Sequence, residues 1–79
     1  MNNKVDYYAG QIIKEKRKEK RLTQTQLGEK VGLPYSTLAC YESGLRGMSL
    51  ETFFILCKAL KIDVNDAQKE IQKRLDDNA

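Results

Sequence analysis

Apolar residues recur along this chain at spacings of three and four, in five runs separated by turn-forming residues, and strict alternation is essentially absent. The first run predicts a helix from about Tyr7 to Lys20, with Tyr8, Ile12 and Ile13 on its apolar side, joined by Ala9. Leu22 fills the join, and Thr23 is a good N-cap for a second helix from Gln24 to Val31. Gln26, three residues after that threonine, completes a capping-box pattern. Gly32 follows directly, where a left-handed residue ends a helix without steric strain. Pro34 is tolerated at a helix start but not inside one, so a third helix spans about Tyr35 to Tyr41 and is closed by Ser43-Gly44. After a loop at Leu45-Arg46-Gly47-Met48, Ser49 caps a fourth helix running through about Leu60, apolar at Leu50, Phe53, Phe54, Leu56, Cys57 and Leu60. Asp63 caps a fifth, from Val64 to about Leu75, with Val64, Ala67, Ile71 and Leu75 along one stripe.

The pattern therefore predicts an all-α fold, a compact five-helix domain over residues 7–75. Residues 1–6 are expected to form a flexible arm and residues 76–79 to fray. Seventy-nine residues make one small domain, whose single core supplies about 3–5 kcal/mol. No zinc ligand set supplements it, because histidine is absent and Cys40 and Cys57 are the only cysteines. Two lone cysteines form no disulfide framework and read as reduced thiols of a cytoplasmic protein. With no leader-like apolar stretch and no long apolar run, no membrane association is expected.

Net charge is only +3, and its distribution says more than its size. Lys14, Lys16, Arg17, Lys18, Lys20 and Arg21 crowd the first helix, while Asp63, Asp66, Glu70, Asp76 and Asp77 gather near the carboxyl end. A polyanion is expected to meet the amino-terminal half.

The second and third helices, joined at Gly32, follow the plan of a helix-turn-helix, in which the second of the two enters the DNA major groove. The surrounding residues extend the match. Gly10-x-x-Ile13, Arg17-x-x-Lys20, Leu22-Thr23-Gln24-x-x-Leu27 and Val31-Gly32 come first. Ser36-Thr37-Leu38, Tyr41-Glu42-x-Gly44, Ser49-Leu50-Glu51-Thr52 and Lys58-Ala59-Leu60 follow in order. Over roughly Ala9 to Asp66 the chain resembles the Cro/Xre class of phage-repressor-like DNA-binding domains.

That resemblance implies roles residue by residue. Gly28 stands where the second and third helices cross, at a position where the family usually has Ala. Arg17 and Glu42 resemble the family's structural ion pair, tying the first helix to the end of the recognition helix. Gln24 and Thr23 open the second helix, where the family contacts a phosphate; the free N–H groups and positive dipole of a helix start favour an anion there. Base readout is placed at Tyr35, Ser36 and Cys40, with Thr37 nearer a phosphate or a thymine methyl. Better-known members use Gln, Arg or Asn at these positions, so the operator sequence stays open and DNA shape enters the readout. Further phosphate contacts are implied for Lys30, Ser43 and Arg46, with Lys16 and Lys20 adding to them. Arg21 stands where the family often has Gly, and left-handed strain is expected there. Cys57 reads as a buried thiol.

A single module of this size buries about 600–1,000 Å² on DNA, so a homodimer on a two-fold operator is expected, with half-sites about 34–36 Å apart. Ile62, Val64, Ile71 and Leu75 are the expected dimer interface. The leading reading is a transcriptional regulator of prokaryotic or phage type, a repressor of double-stranded DNA targets, with no cofactor and no catalytic site. An antitoxin or restriction-modification controller of the same fold, with a toxin or anti-repressor protein as partner, is the alternative within the class. A protein-interaction module that has lost DNA binding is the alternative outside it. Enzymatic chemistry finds no support, because no nucleophile–base pair and no phosphate-cradling glycine loop is present.

Overall fold

Thr23, Ser49 and Asp63 each stop one chain direction and start another, because each side-chain oxygen accepts from a first-turn N–H that has no intrahelical partner. In the computed structural model, which describes residues 4–78, these three caps, with Gly32 and Pro34 between the second and third helices, separate five helices. They are α1 (Lys4–Glu19), α2 (Gln24–Val31), α3 (Tyr35–Ser43), α4 (Leu50–Ala59) and α5 (Val64–Asp77), with no strand among the described residues. At Thr23 the capping box is complete: its hydroxyl accepts from the Gln26 N–H at 3.0 Å, and its own N–H donates to Gln26 Oε1 at 2.8 Å.

The core lies where α1, α2, α3 and α4 converge. Ile13, Leu27, Leu38, Leu56, Cys57 and Leu60 are fully buried there, and Tyr41 closes one side. Leu22, Leu33, Phe53, Ile62 and Val64 pack around this cluster, as does Val31, which is half-buried at its edge. α5 lies along α1 and is held by Arg74. Its guanidinium donates to both Glu15 carboxylate oxygens (2.9 and 3.0 Å), to Glu70 at 2.9 Å and to Gln11 at 3.2 Å. The hydrogen bond to Glu15 is the largest influence raising the Arg74 pKa above its ordinary value.

Both ends of the chain are more helical than the sequence pattern predicts. α1 begins at Lys4, so Lys4, Val5 and Asp6 belong to it rather than to a flexible arm; Met1 to Asn3 lie outside the described residues. Asp6 in the first turn complements the helix dipole, and its carboxylate lies against Gly47 of the loop before α4. At the other end Asp76 and Asp77 continue α5, where the Gln72 side chain donates to Asp76 at 3.1 Å and the Asn78 side chain donates to the Arg74 carbonyl at 2.8 Å. Ala79 lies outside the described residues.

Two helix ends use the same turn without glycine. After α1, Arg21 adopts φ +57°; its N–H donates to the Lys18 carbonyl and the Leu22 N–H donates to the Arg17 carbonyl. After α4, Lys61 adopts φ +57°, with Lys61 and Ile62 donating to Lys58 and Cys57 in the same way. Both are Schellman closures, which return Leu22 and Ile62 to the core at the cost of a left-handed side-chain-bearing residue.

Candidate nucleic-acid interface

The geometry of α2 and α3 is set by two close backbone approaches. A Cβ built on Gly28 would land on the Leu33 carbonyl oxygen and come within 3.5 Å of Leu38 Cδ1. The turn is folded onto α2 at that point, with the Leu33 N–H donating back to the Gly28 carbonyl at 2.9 Å. The second approach joins α1 to α3. A Cβ on Gly10 would land on the Tyr41 carbonyl oxygen, with the Glu42 carbonyl oxygen 3.1 Å away. Gly10 is thus a helix-crossing residue of equal rank to Gly28, a role its place in the Gly10-x-x-Ile13 motif does not reveal by itself.

A charged clamp completes the frame. Arg17 Nε donates to Glu42 Oε2 at 2.7 Å and its Nη2 to Oε1 at 2.9 Å, a bidentate pair with both side chains buried. Arg17 Nη1 donates to the Leu22 carbonyl at 2.6 Å, and Gln24 Nε2 donates to Glu42 Oε1 at 3.2 Å. No buried side-chain nitrogen or oxygen among the described residues lacks a partner. The clamp ties α1, the α1–α2 join, the start of α2 and the end of α3 into one unit. It also means that Arg17 is neutralised and contributes nothing to the basic face, while Lys16 faces Glu19 at 3.6 Å.

The outward side of α3 follows from what its inward side buries. Leu38, Tyr41 and Glu42 point inward. Residues at helical spacing on the opposite side are Ser36, Ala39, Cys40 and Ser43. Tyr35 stands 62% exposed at one edge of this stripe, and Thr37 is half-buried at the other. Ala39 was absent from the residues expected to face a partner, although its spacing from Ser36 and Ser43 is a helical signal readable in the sequence. Pro34 occupies the N-cap with φ −66° and ψ 150°, and no side chain caps α3. Its first-turn N–H groups and dipole are therefore unopposed by any side-chain acceptor.

Around this stripe the expected phosphate contacts are differently placed. Lys30 and Arg46 are exposed. The Arg46 guanidinium lies over the Tyr41 ring, 5.9 Å from its centroid, which holds the α3–α4 loop against α3. The Ser43 hydroxyl donates to the Cys40 carbonyl at 3.1 Å and accepts from the Leu45 N–H at 3.3 Å. Thr23 and Gln24 sit together at the start of α2, each already engaged, one as cap and one on Glu42. The four residues expected at a dimer surface do not share one. Ile62 and Val64 pack against the core, whereas Val64, Ile71 and Leu75 border a groove of about 520 Å³ together with Val5, Leu50 and Phe54. Leu50, Phe54 and Ile55 are more exposed than any of those four.

A family model described as helix-turn-helix matches residues 13–66, which takes in the clamp, the turn, α3 and α4. Over 61 residues the chain is 33% identical to an uncharacterized HTH-type transcriptional regulator, y4wC, of Sinorhizobium fredii. That alignment covers 77% of this chain and 43% of the relative, so the chain spans less than half of that protein's length. Its fold is similar to the crystal structure of the clp gene regulator ClgR from C. glutamicum, with a TM-score of 0.81, 24% identity, and coverage of 89% of this chain and 91% of that one. No helix among the described residues is long and apolar enough to cross a membrane.

Proposed function

This chain belongs to the Cro/C1-type helix-turn-helix family of DNA-binding transcriptional regulators, and we propose that it acts as a repressor that binds a two-fold operator as a homodimer, with α3 in the major groove. The observation that carries this reading is the outward stripe of α3: uncapped at its amino end, free of inward-reaching side chains, and backed by a rigid Arg17–Glu42–Gln24 clamp.

Tyr35, Ser36 and Cys40, joined by Ala39, face the base edges, with Thr37 at the flank. Arg and Gln reach bases from a distance, but Ser36, Ala39 and Cys40 are short and do so only when the helix backbone sits deep in the groove. Ala39 and Cys40 suit thymine methyls, the Ser36 hydroxyl donates or accepts, and Tyr35 supplies apolar area and one hydroxyl. Thr23, Gln24, Lys30, Ser43 and Arg46 hold the phosphates on either side. Gln24 does so through the amide hydrogen it does not give to Glu42. Ordinary cytoplasmic conditions, which keep Cys40 reduced, suit this readout.

The test is a gel shift with DNA from upstream of its own gene, titrated with salt, together with footprinting. Retardation that weakens steeply with rising salt, and two protected half-sites about 34–36 Å apart, are expected. Binding no tighter than to unrelated DNA at low salt would sink the reading.

A further inference from the structure

Helix α4 is apolar on both of its sides. Leu56 and Cys57 face the core, with Phe53 at its edge, but Leu50, Phe54 and Ile55 are 68%, 44% and 44% exposed. A helix face this apolar is ordinarily buried, and nothing among the described residues covers the outer side of α4. Glu51 and Lys58 lie on that same side; together with Leu50, Phe54 and Ile55 they line one shallow depression. Neither charge takes part in an ion pair among the described residues.

We propose that this face docks a second copy of the chain, with the two α4 helices antiparallel about a two-fold axis that passes between Phe54 and Ile55. The charges select this occupant. About such an axis, residues equally far from it meet, so Glu51 faces the partner's Lys58 and Lys58 faces the partner's Glu51. Phe54 and Ile55 pack against the partner's Ile55 and Phe54 between these two ion pairs. A parallel pairing would instead bring like charges together at both ends. The surface is therefore self-complementary in the antiparallel sense, as a two-fold interface must be. Leu50 and Phe54 also border the groove lined by Val64, Ile71 and Leu75, so the α4 contact extends onto α5, while Ile62 lies outside it. The inference deepens the homodimer reading given above; it rests on that reading for the purpose of the dimer, not for its existence.

Sedimentation of charge-reversed variants at low salt tests the pairing, with circular-dichroism melts to show that each variant folds. The wild-type chain is expected to self-associate with rising concentration. Glu51→Lys alone and Lys58→Glu alone each place like charges in opposition and weaken association by about tenfold or more. An equal mixture of the two single variants restores it, as does the double reversal in one chain, because opposite charges again face each other at both ends. Phe54→Asp abolishes it. A wild-type chain that stays monomeric at all concentrations, both free and on operator-length DNA, overturns the proposal. So does a dimer indifferent to the reversals, or single variants that do not recover on mixing. DNA retardation measured on the same variants keeps the two readings apart. Retardation alongside an indifferent dimer removes the α4 interface and leaves the regulator reading intact. A charge-dependent dimer that retards no DNA does the reverse.

Discussion

Arg17 and Glu42 are separated by 25 residues in sequence and joined by two parallel hydrogen bonds of 2.7 and 2.9 Å. Each side chain is buried, so removing one partner strands a charge away from water. Arg17→Met or Glu42→Leu is expected to cost about 3–5 kcal/mol, which lowers the melting temperature by more than about 10 °C for a domain of this size. The double variant Arg17→Met/Glu42→Leu recovers part of that loss, because no buried charge is stranded, while the Leu22 carbonyl and the Gln24 amide still lose their partners. Thermal melts of the three variants check this; a single variant melting within a degree or two of wild type contradicts it.

Gly10 meets the α3 backbone with no room for a methyl group. Gly10→Ala gains helix propensity of about 1 kcal/mol but must push Tyr41 and the end of α3 away. The net effect is a loss of about 1–3 kcal/mol, accompanied by weaker DNA binding because α3 shifts on its support. Denaturant midpoints and gel shifts on one preparation measure both.

Arg46 rests over Tyr41 at the rim of the proposed interface. Arg46→Ala is expected to weaken binding to all DNA sequences alike and to reduce the slope of log K against log salt by about 1. Folding stability falls by about 0.5–1 kcal/mol with the loss of the cation–π contact. A change in sequence preference instead would place Arg46 at a base edge.

The two thiols should behave differently. Burial pushes the Cys57 pKa up from its ordinary value of 9.0, and the side chain is fully buried, so iodoacetamide is expected to spare it in the native protein. Cys40 is partly exposed on α3 and should label, more slowly when operator DNA is bound. The sign of the Cys57 shift also bears on alkaline stability. The unfolded thiol loses its proton before the folded one, so stability falls as pH rises past 9.0, and Cys57→Ala removes that part of the slope.

Lys61 holds φ +57° in the turn between α4 and α5, outside the α2–α3 unit. Lys61→Gly relieves the left-handed strain and is expected to raise stability by up to about 1 kcal/mol, leaving DNA binding unchanged. Arg21→Gly should stabilise similarly, and comparison of the two in gel shifts shows whether the Arg21 charge contributes to phosphate binding.

The order and type of the five helices were legible because their signals are local. Thr23 with Gln26, Ser49 and Asp63 begin helices through bonds to residues two or three positions away, and Gly32 ends one by its own conformation. The inward residues Ile13, Leu27, Leu38 and Leu56 follow from helical spacing in the same way. The Arg17–Glu42 contact was legible only through family resemblance, since nothing local joins residues so far apart.

What tertiary structure alone decided are matters of which surface meets which. Gln24 donates to Glu42 because α2 and α3 place them side by side; sequence reading had offered it simply to a phosphate. Asp6 belongs to α1 and its carboxylate lies against Gly47, a residue forty-one positions away in the chain. Leu50 and Phe54 read as ordinary apolar residues of the fourth helix, and Ile55 stands outside that set, until the packing of Leu56 and Cys57 turns all three outward. Local hydrogen bonding and periodicity determine the elements from the sequence itself, whereas the use of each outward face depends on contacts between residues remote in the chain. Those contacts exist only once the helices have packed.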